Sequence, residues 1–389
     1  MNSAIEYVAS AAAPRLAAPG FPKSVLLVET WRALPLATDL ARAGLTVHIL
    51  GEGGYGRNWM PRGVHVLPSA STSTDRVVRS IDAAVRETEP DIILPVFEET
   101  LFRIWDESPD WLPRVHPVIQ PEHRALFRDK HAMVAFLGDR GVLVPRTVRL
   151  TNGSRAEIEP IVRSLGLPVV VKGGSGAGGS RVRVAGSIDD AFGSVTELHQ
   201  RTGEVPALQE FVDGPVYIVG GVFDAGRPVR LICGEVLEMH PLRTGPAILM
   251  VSRYEEELVK VATDVFCSLN ISGLACADFM RGADGRFRFL ELSARPWGSY
   301  RFANALGYEL ISTWCELLRG RQVSPAIPYP VGRKWAKMPE YLFVKPNSRL
   351  SMLRRALNPT AIRSLNWRNA RLLLYETRRA LRVFRSRAR

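Results

Sequence analysis

Cysteine is scarce in this chain of 389 residues: Cys233, Cys267, Cys276 and Cys315 lie scattered among apolar neighbours. None stands at disulfide or metal-type spacing, which argues against a disulfide framework and points to buried thiols in a reducing compartment. The seven histidines show no H-x-x-x-H or H-x-H spacing, so a zinc or iron centre is not expected. No apolar run approaches the roughly 18 residues of a membrane span. Residues 1–22 carry Glu6, three prolines and no basic cluster, and read as a disordered lead, not a secretion signal. A cytoplasmic protein with room for two or three domains is the expectation.

The net charge is +12, and it is unevenly placed. From Arg333 onward there are sixteen Lys/Arg and two acids, Glu340 and Glu376, so the rest of the chain is close to neutral. Residues 331–389 are expected to be a basic tail, helical where Trp367, Ala370, Leu374, Ala380, Leu381 and Phe384 recur near helical spacing. Such a helix packs on its own body, docks on a partner protein, or lies on an anionic bilayer, which would put the enzyme at the inner face of the membrane. Nucleic acid is not an expected partner, because the body is neutral and carries no nucleic-acid motif.

Along the chain, "KSVLLVET", "ALPLATDLARAG" and "LTVHIL" give strand, helix, strand, and "DIILPV" adds a buried strand. Residues 23–125 therefore read as an open, Rossmann-like α/β domain. Beyond it, strands and helices intermix without strict βαβ alternation, the pattern of α+β lobes. Lobe boundaries are expected near 126–210 and 211–330.

The stretch "VVVKGGSGAGGSRVRV", residues 169–184, is an apolar run ending in Lys172 that opens onto glycines. It formally contains G-x-G-x-x-G, but the loop runs into alternating Val182 and Val184, a strand, where dinucleotide binding needs a helix. Gly-Lys-Ser/Thr is missing downstream, and so are H-R-D and D-F-G, which excludes a P-loop and a protein kinase. Strand, lysine, flexible loop, strand remains. Glycine N–H groups wrap polyphosphate closely, although a plain hairpin with a glycine turn fits this stretch equally well.

In "GLACADFMRGADGRFRFLELSARPWGS", Asp284-Gly285 signals a two-residue hairpin turn. Asp278 then faces Glu291, and like charges opposed at that range repel unless a cation lies between them. Magnesium, a hard cation held by carboxylates and phosphate oxygens, suits the pair. Glu291, Ser293 and Arg295 fall on one strand face. A buried carboxylate paired with Arg295 is the alternative.

Together the glycine loop and this hairpin resemble the ATP-grasp superfamily. The resemblance implies a preATP-grasp domain followed by two α+β lobes that close on ATP and one or two Mg2+ ions, with Mn2+ as an alternative metal. It implies nucleotide lysines at Lys130 and Lys172, and a phosphate loop of Gly173, Gly174, Ser175, Gly176, Gly178 and Gly179. It also implies an adenine hinge at "LQEFVDGP", with Gln209, Glu210, Phe211, Val212 and Asp213. Asp278, Glu291 and Ser293 take the metal positions, Ser293 where the family usually has asparagine, while Val216 stands where a ribose acid is often found. Arg295 and Arg243 would hold the acceptor carboxylate or acyl phosphate, and Trp297, Ser299 and Asn304 would border the acceptor pocket. The activity implied is ATP-dependent joining of a small-molecule carboxylate to an amine through an acyl phosphate. Carboxylation, phosphoryl transfer, or nucleotide binding without catalysis are the alternatives.

Overall fold

The computed structural model describes residues 22–28, 34–51, 62–67, 76–176, 179, 181–240, 245–323, 328–338, 340–343, 354, 355, 357–360 and 377. Gly178, Arg243, the lead before Pro22 and most of the basic tail lie outside them.

The N-terminal part is a parallel sheet in the order β3-β2-β1-β4, built from β1 (Ser24–Val28), β2 (Thr46–Leu50), β3 (Val64–Val66) and β4 (Ile92–Pro95). Helices α1 (Leu34–Arg42), α2 (Val77–Thr88) and α3 (Glu98–Glu107) complete it. Val25, Leu27, Val47 and Ile49 face one layer and Leu26, Ile93 and Ile81 the other, which is why these strands read as continuous apolar runs.

Helices α4 (Arg124–Arg128) and α5 (Lys130–Gly138) lead into a second, antiparallel sheet in the order β5-β8-β6-β7. Its strands are β5 (Thr147–Arg149), β6 (Val169–Lys172), β7 (Val182–Ala185) and β8 (Ala207–Glu210). Helices α6 (Arg155–Leu165) and α7 (Ile188–Thr202) cover it with a core of their own around Ile158, Val171 and Val195. Ser187 caps α7 by accepting the Asp190 N–H at 3.1 Å, and Gly203 ends it in the left-handed region.

The third sheet has six strands, β13-β12-β9-β10-β11-β14. They are β9 (Val216–Asp224), β10 (Arg227–Met239), β11 (Ala247–Arg253), β12 (Gly273–Arg281), β13 (Phe287–Ser293) and β14 (Lys334–Ala336). Helix α8 (Glu256–Leu269) packs on it, and α9 (Phe302–Ala305), α10 (Leu310–Leu318) and α11 (Glu340–Phe343) follow. Its core is continuous with that of the N-terminal part, and Val118 and Ser272 exchange two backbone bonds, at 2.8 and 3.0 Å, across the junction. Among the described residues no helix is long and apolar enough to cross a membrane.

Two expectations are corrected here. Lys334–Ala336 is a sheet strand paired with β11, so the stretch expected as a tail from 331 begins inside the fold. The β12–β13 hairpin does not turn on two residues either. Gly282 and Arg286 close a longer loop with an N–H···O bond of 3.0 Å, and Arg281 pairs with Phe287. A bulge between Asp278 and Phe279 then restores the register, leaving Leu290 unopposed and Asp278 facing Glu291.

Candidate active site

The bulge decides which side chains reach the site. Phe287 and Phe289 point into the α8 core, and after the extra residue that face is continued by Leu292 and Ala294. Glu291 and Ser293 consequently turn the opposite way, toward the second sheet. The Leu290 carbonyl, freed from the ladder, accepts the Lys172 ammonium at 3.0 Å.

Lys172 ends β6 and is buried. Burial, with Lys130 nearby, lowers its pKa against the pull of Glu291 and Asp278. Lys130 opens α5, whose N-terminus is capped by the Asp129 carboxylate accepting from His131 and Ala132 N–H at 2.9 and 3.1 Å. The Lys130 N–H itself donates to the Gly174 carbonyl at 2.9 Å, and the His131 ring meets the Lys172 carbonyl at 3.1 Å. Cap, lysine and glycine loop are thus one hydrogen-bonded unit.

Within the loop, the Arg181 side chain crosses the glycines: a Cβ on Gly173 or Gly176 would lie 3.1 Å from it, and Gly176 has φ +96°. The Arg181 guanidinium donates to the Ser175 hydroxyl at 2.6 Å and to Glu204 at 3.0 Å. A side chain at Gly176 would be strained twice, by φ and by contact.

The cation that meets Glu291 here is a side chain: Lys130 Nζ lies 2.6 Å from Glu291 Oε2. Burial alone would raise the Glu291 pKa, but Lys130 and Lys172 overcome it and hold the carboxylate well below its ordinary range. Burial and the Glu291 charge push Asp278 the other way, up to about 7. A raised carboxyl pKa contributes stability at low pH that is lost as pH climbs from the unfolded value near 3.8 toward 7. In the metal-free protein Asp278→Asn should therefore melt higher than wild type at pH 8, by about 2 °C or more. The gap should narrow as the pH falls from about 7 and close near 3.8, where the unfolded chain also takes up the proton; scanning calorimetry across that range checks it, and a constant gap would contradict the assignment.

A third carboxylate was not legible in the sequence. Glu98 opens α3 and comes within 3.4 Å of Arg295, with 15 % of its side chain and 19 % of the arginine's exposed. Ser293 donates its hydroxyl to it, and burial raises its pKa against the pull of Arg295. The pairing expected as an alternative for the hairpin carboxylates, an acid held by Arg295, is made by this residue from helix α3 of the N-terminal part. The only sequence signal was an acidic pair ending the apolar strand "DIILPV".

A cavity of about 430 Å³ runs between the second and third sheets and gathers nearly all the expected residues. Lys130, Lys172, Gly173, Ser175, Gly176 and Gly179 line one wall. Gln209 and Glu210 at the end of β8, with Phe211, Val212 and Asp213 on the connection to β9, close one end. Asp278, Glu291, Ser293 and Arg295 form the floor, and Trp297 and Ser299 continue it. Gly174 is not on the wall and acts through its carbonyl. Asn304 is not at the cavity: its amide donates to Asp39 at 3.3 Å, beside Tyr300 at 2.9 Å, in a buried joint between α1 and the 300–304 turn. Trp297 lies against Gly220, where a Cβ would meet its ring at 2.4 Å.

Among the described residues no three His, Cys, Asp or Glu side chains form a metal cluster by themselves. The donors present are two opposed carboxylates and hydroxyl oxygen, which suit a hard divalent cation whose remaining ligands come from phosphate. Cys276, also on the wall, has its thiol pushed well above its ordinary range by burial, so it is no nucleophile at neutral pH.

A family model for the ATP-grasp domain matches residues 127–299. These residues are an ATP-grasp domain. A D-alanine–D-alanine ligase of Parabacteroides distasonis is 26 % identical over 193 residues, 44 % of this chain and 55 % of the ligase. The match thus spans about half the length of that relative. In fold, the chain is similar to biotin carboxylase from Campylobacter jejuni in a β,γ-ATP complex (TM-score 0.63, 16 % identity, 80 % of this chain and 74 % of that one). It is also similar to an L-amino acid ligase from Bacillus licheniformis (TM-score 0.59, 17 % identity, 76 % and 74 %). The cavity lies largely within the ATP-grasp domain, while Glu98 precedes the matched residues.

Proposed function

We propose that the chain is an ATP- and Mg2+-dependent ligase that activates a carboxylate as an acyl phosphate for attack by an amine. The observation that carries this reading is the facing pair Asp278 and Glu291 in one cavity with Lys130, Lys172 and the glycine loop. Residues 23–125 serve as the preATP-grasp domain, contributing Glu98 to the site.

In this reading the adenine lies where β8 runs into the β8–β9 connection, Gln209 to Val212 offering backbone groups and exposed Asp213 standing at the rim for the ribose. Lys172 and Lys130 neutralise phosphate oxygens, and the N–H groups of residues 174–176 wrap the terminal phosphate, that of Gly173 being held by the Arg181 carbonyl at 2.9 Å. Asp278 and Glu291 would hold magnesium with the phosphates, and Ser293, whose hydroxyl Glu98 engages, supplies no strong third ligand. Bound there, the metal would supply charge neutralisation at the transferring phosphoryl group. For Glu291 to serve, Lys130 must give up its 2.6 Å contact and move onto the phosphates. A carboxylate oxygen of the acceptor attacks the γ-phosphorus and ADP leaves. The amine then attacks the acyl carbon, expelling phosphate and losing its proton to solvent. Arg295, positioned by Glu98, holds the acyl phosphate; such oriented charge is what this chemistry requires, without a side-chain nucleophile.

Incubation with ATP, magnesium, hydroxylamine and a panel of carboxylic acids tests the reading. ADP release with matching hydroxamate is the expected result. ADP release without hydroxamate from any acid would overturn the acyl-phosphate step and favour carboxylation or phosphoryl transfer. No nucleotide turnover with any acid would point to a binding protein without catalysis.

A further inference from the structure

Two partners compete for Lys130 in this cavity: Glu291 and the nucleotide phosphates. The ammonium lies 2.6 Å from Glu291 Oε2, with 16 % of the lysine and 29 % of the glutamate side chain exposed. A pair this sheltered is little screened by salt, and separating it leaves each charge poorly solvated. The neighbouring cations are engaged elsewhere: Lys172 donates to the Leu290 carbonyl at 3.0 Å, and Arg295 lies 3.4 Å from Glu98. Lys130 is thus the cation that stands on the carboxylate proposed for the metal.

The charge around the hairpin gives a bare divalent cation no added pull. Three cations, Lys130, Lys172 and Arg295, stand against three carboxylates, Asp278, Glu291 and Glu98, so the group has no net negative charge even with every acid ionised. Magnesium gives up its water reluctantly and is ordinarily held by a carboxylate or two together with phosphate oxygens. Here it would meet an ammonium on its main ligand, and like charges repel strongly where screening is weak. A nucleotide changes both conditions, because its phosphates add negative charge and offer the ammonium a second partner. The lysine is placed for that exchange. It begins α5, whose first turn Asp129 caps, and its N–H is tied to the Gly174 carbonyl at 2.9 Å. The Cα is held beside the glycine loop while a flexible four-carbon stem carries the ammonium.

We propose that Lys130 is a specificity-determining residue that holds Glu291 closed to free divalent metal, so that the site takes the metal together with nucleotide phosphates and not before them. This rests on the metal–nucleotide reading of Asp278 and Glu291.

Titration of the nucleotide-free full chain with Mn2+, followed by loss of the free-ion electron paramagnetic resonance signal, tests it. Wild type and Glu291→Gln should bind Mn2+ alike, because the carboxylate is closed in the one and missing in the other. Lys130→Met, which keeps the length of the stem without its charge, should bind Mn2+ at least about tenfold more tightly than wild type, the worth of one charge-assisted contact. Adding Glu291→Gln to that variant should abolish the gain, and Lys130→Arg should stay at the wild-type level. Nucleotide-free wild type that binds Mn2+ more tightly than Glu291→Gln would overturn the proposal, whether or not the methionine variant folds. So would a Lys130→Met protein with a normal melting transition and no gain, or an equal gain in Lys130→Arg. Wild type whose ADP affinity is the same with Mn2+ as with chelator would instead contradict the metal–nucleotide reading itself.

Discussion

Glu291→Gln is expected to lower kcat by about a thousandfold at saturating magnesium, the scale of losing one electrostatic contact to a reacting centre, about 4 kcal/mol. The carboxylate is the only part removed, since glutamine keeps the size. Two effects of the change can be separated from catalysis. Lys130 loses its 2.6 Å partner, and a buried ammonium left unpaired is destabilising. Asp278 loses the neighbouring charge that helps raise its pKa, which is stabilising at neutral pH. A melting curve shows the net of the two, and steady-state kinetics shows the catalytic loss. Retention of more than about a tenth of wild-type kcat, a barrier change under about 1.4 kcal/mol, would contradict the metal role of Glu291.

Lys172→Ala is the second large change. The amine is buried, donates to the Leu290 carbonyl and has its pKa lowered by burial. Such a charge is costly without an anionic ligand, and bound phosphate relieves it. Its removal should weaken ADP about 10- to 100-fold, the worth of a charge-assisted hydrogen bond, while leaving the apo fold as stable as before or more so. Lys260→Ala, exposed on α8, should leave ADP binding unchanged. Calorimetric titration of both variants checks this, and equal affinities would remove Lys172 from the phosphate site.

Much of this arrangement was written locally. The strands on either side of the glycine loop, β6 and β7, were read from their apolar residues, which bury over the core of the second sheet. The pairing of Asp278 with Glu291 was also legible, though by a cancellation. The turn is longer than Asp284-Gly285 alone would make it, and the bulge at Leu290 compensates for the shift. Short patterns do not reveal a bulge, since it is set by what the freed carbonyl and the two side-chain faces must reach, here Lys172 and the α8 core.

What sequence did not show is what the chain brings together from far apart. Glu98 and Arg295 are joined only when the start of α3 meets the segment that follows β13. Lys130 on Glu291 depends on α5 lying across the same hairpin. Asn304 looked like part of the pocket because it follows Trp297 and Ser299, but the turn at Tyr300 carries it to Asp39. The three-residue strands β3 and β14 are edge strands, too short for alternation to announce them. Their presence depends on the neighbour they pair with.

The central claim, that this cavity holds magnesium nucleotide between Asp278 and Glu291, is tested most directly by ADP titrations of wild type and Glu291→Gln, each with excess magnesium and with chelator. Magnesium should strengthen ADP binding to wild type by about tenfold or more, as one metal–carboxylate contact implies, and should do little for the variant. Wild-type ADP affinity that is the same with magnesium as with chelator would contradict it.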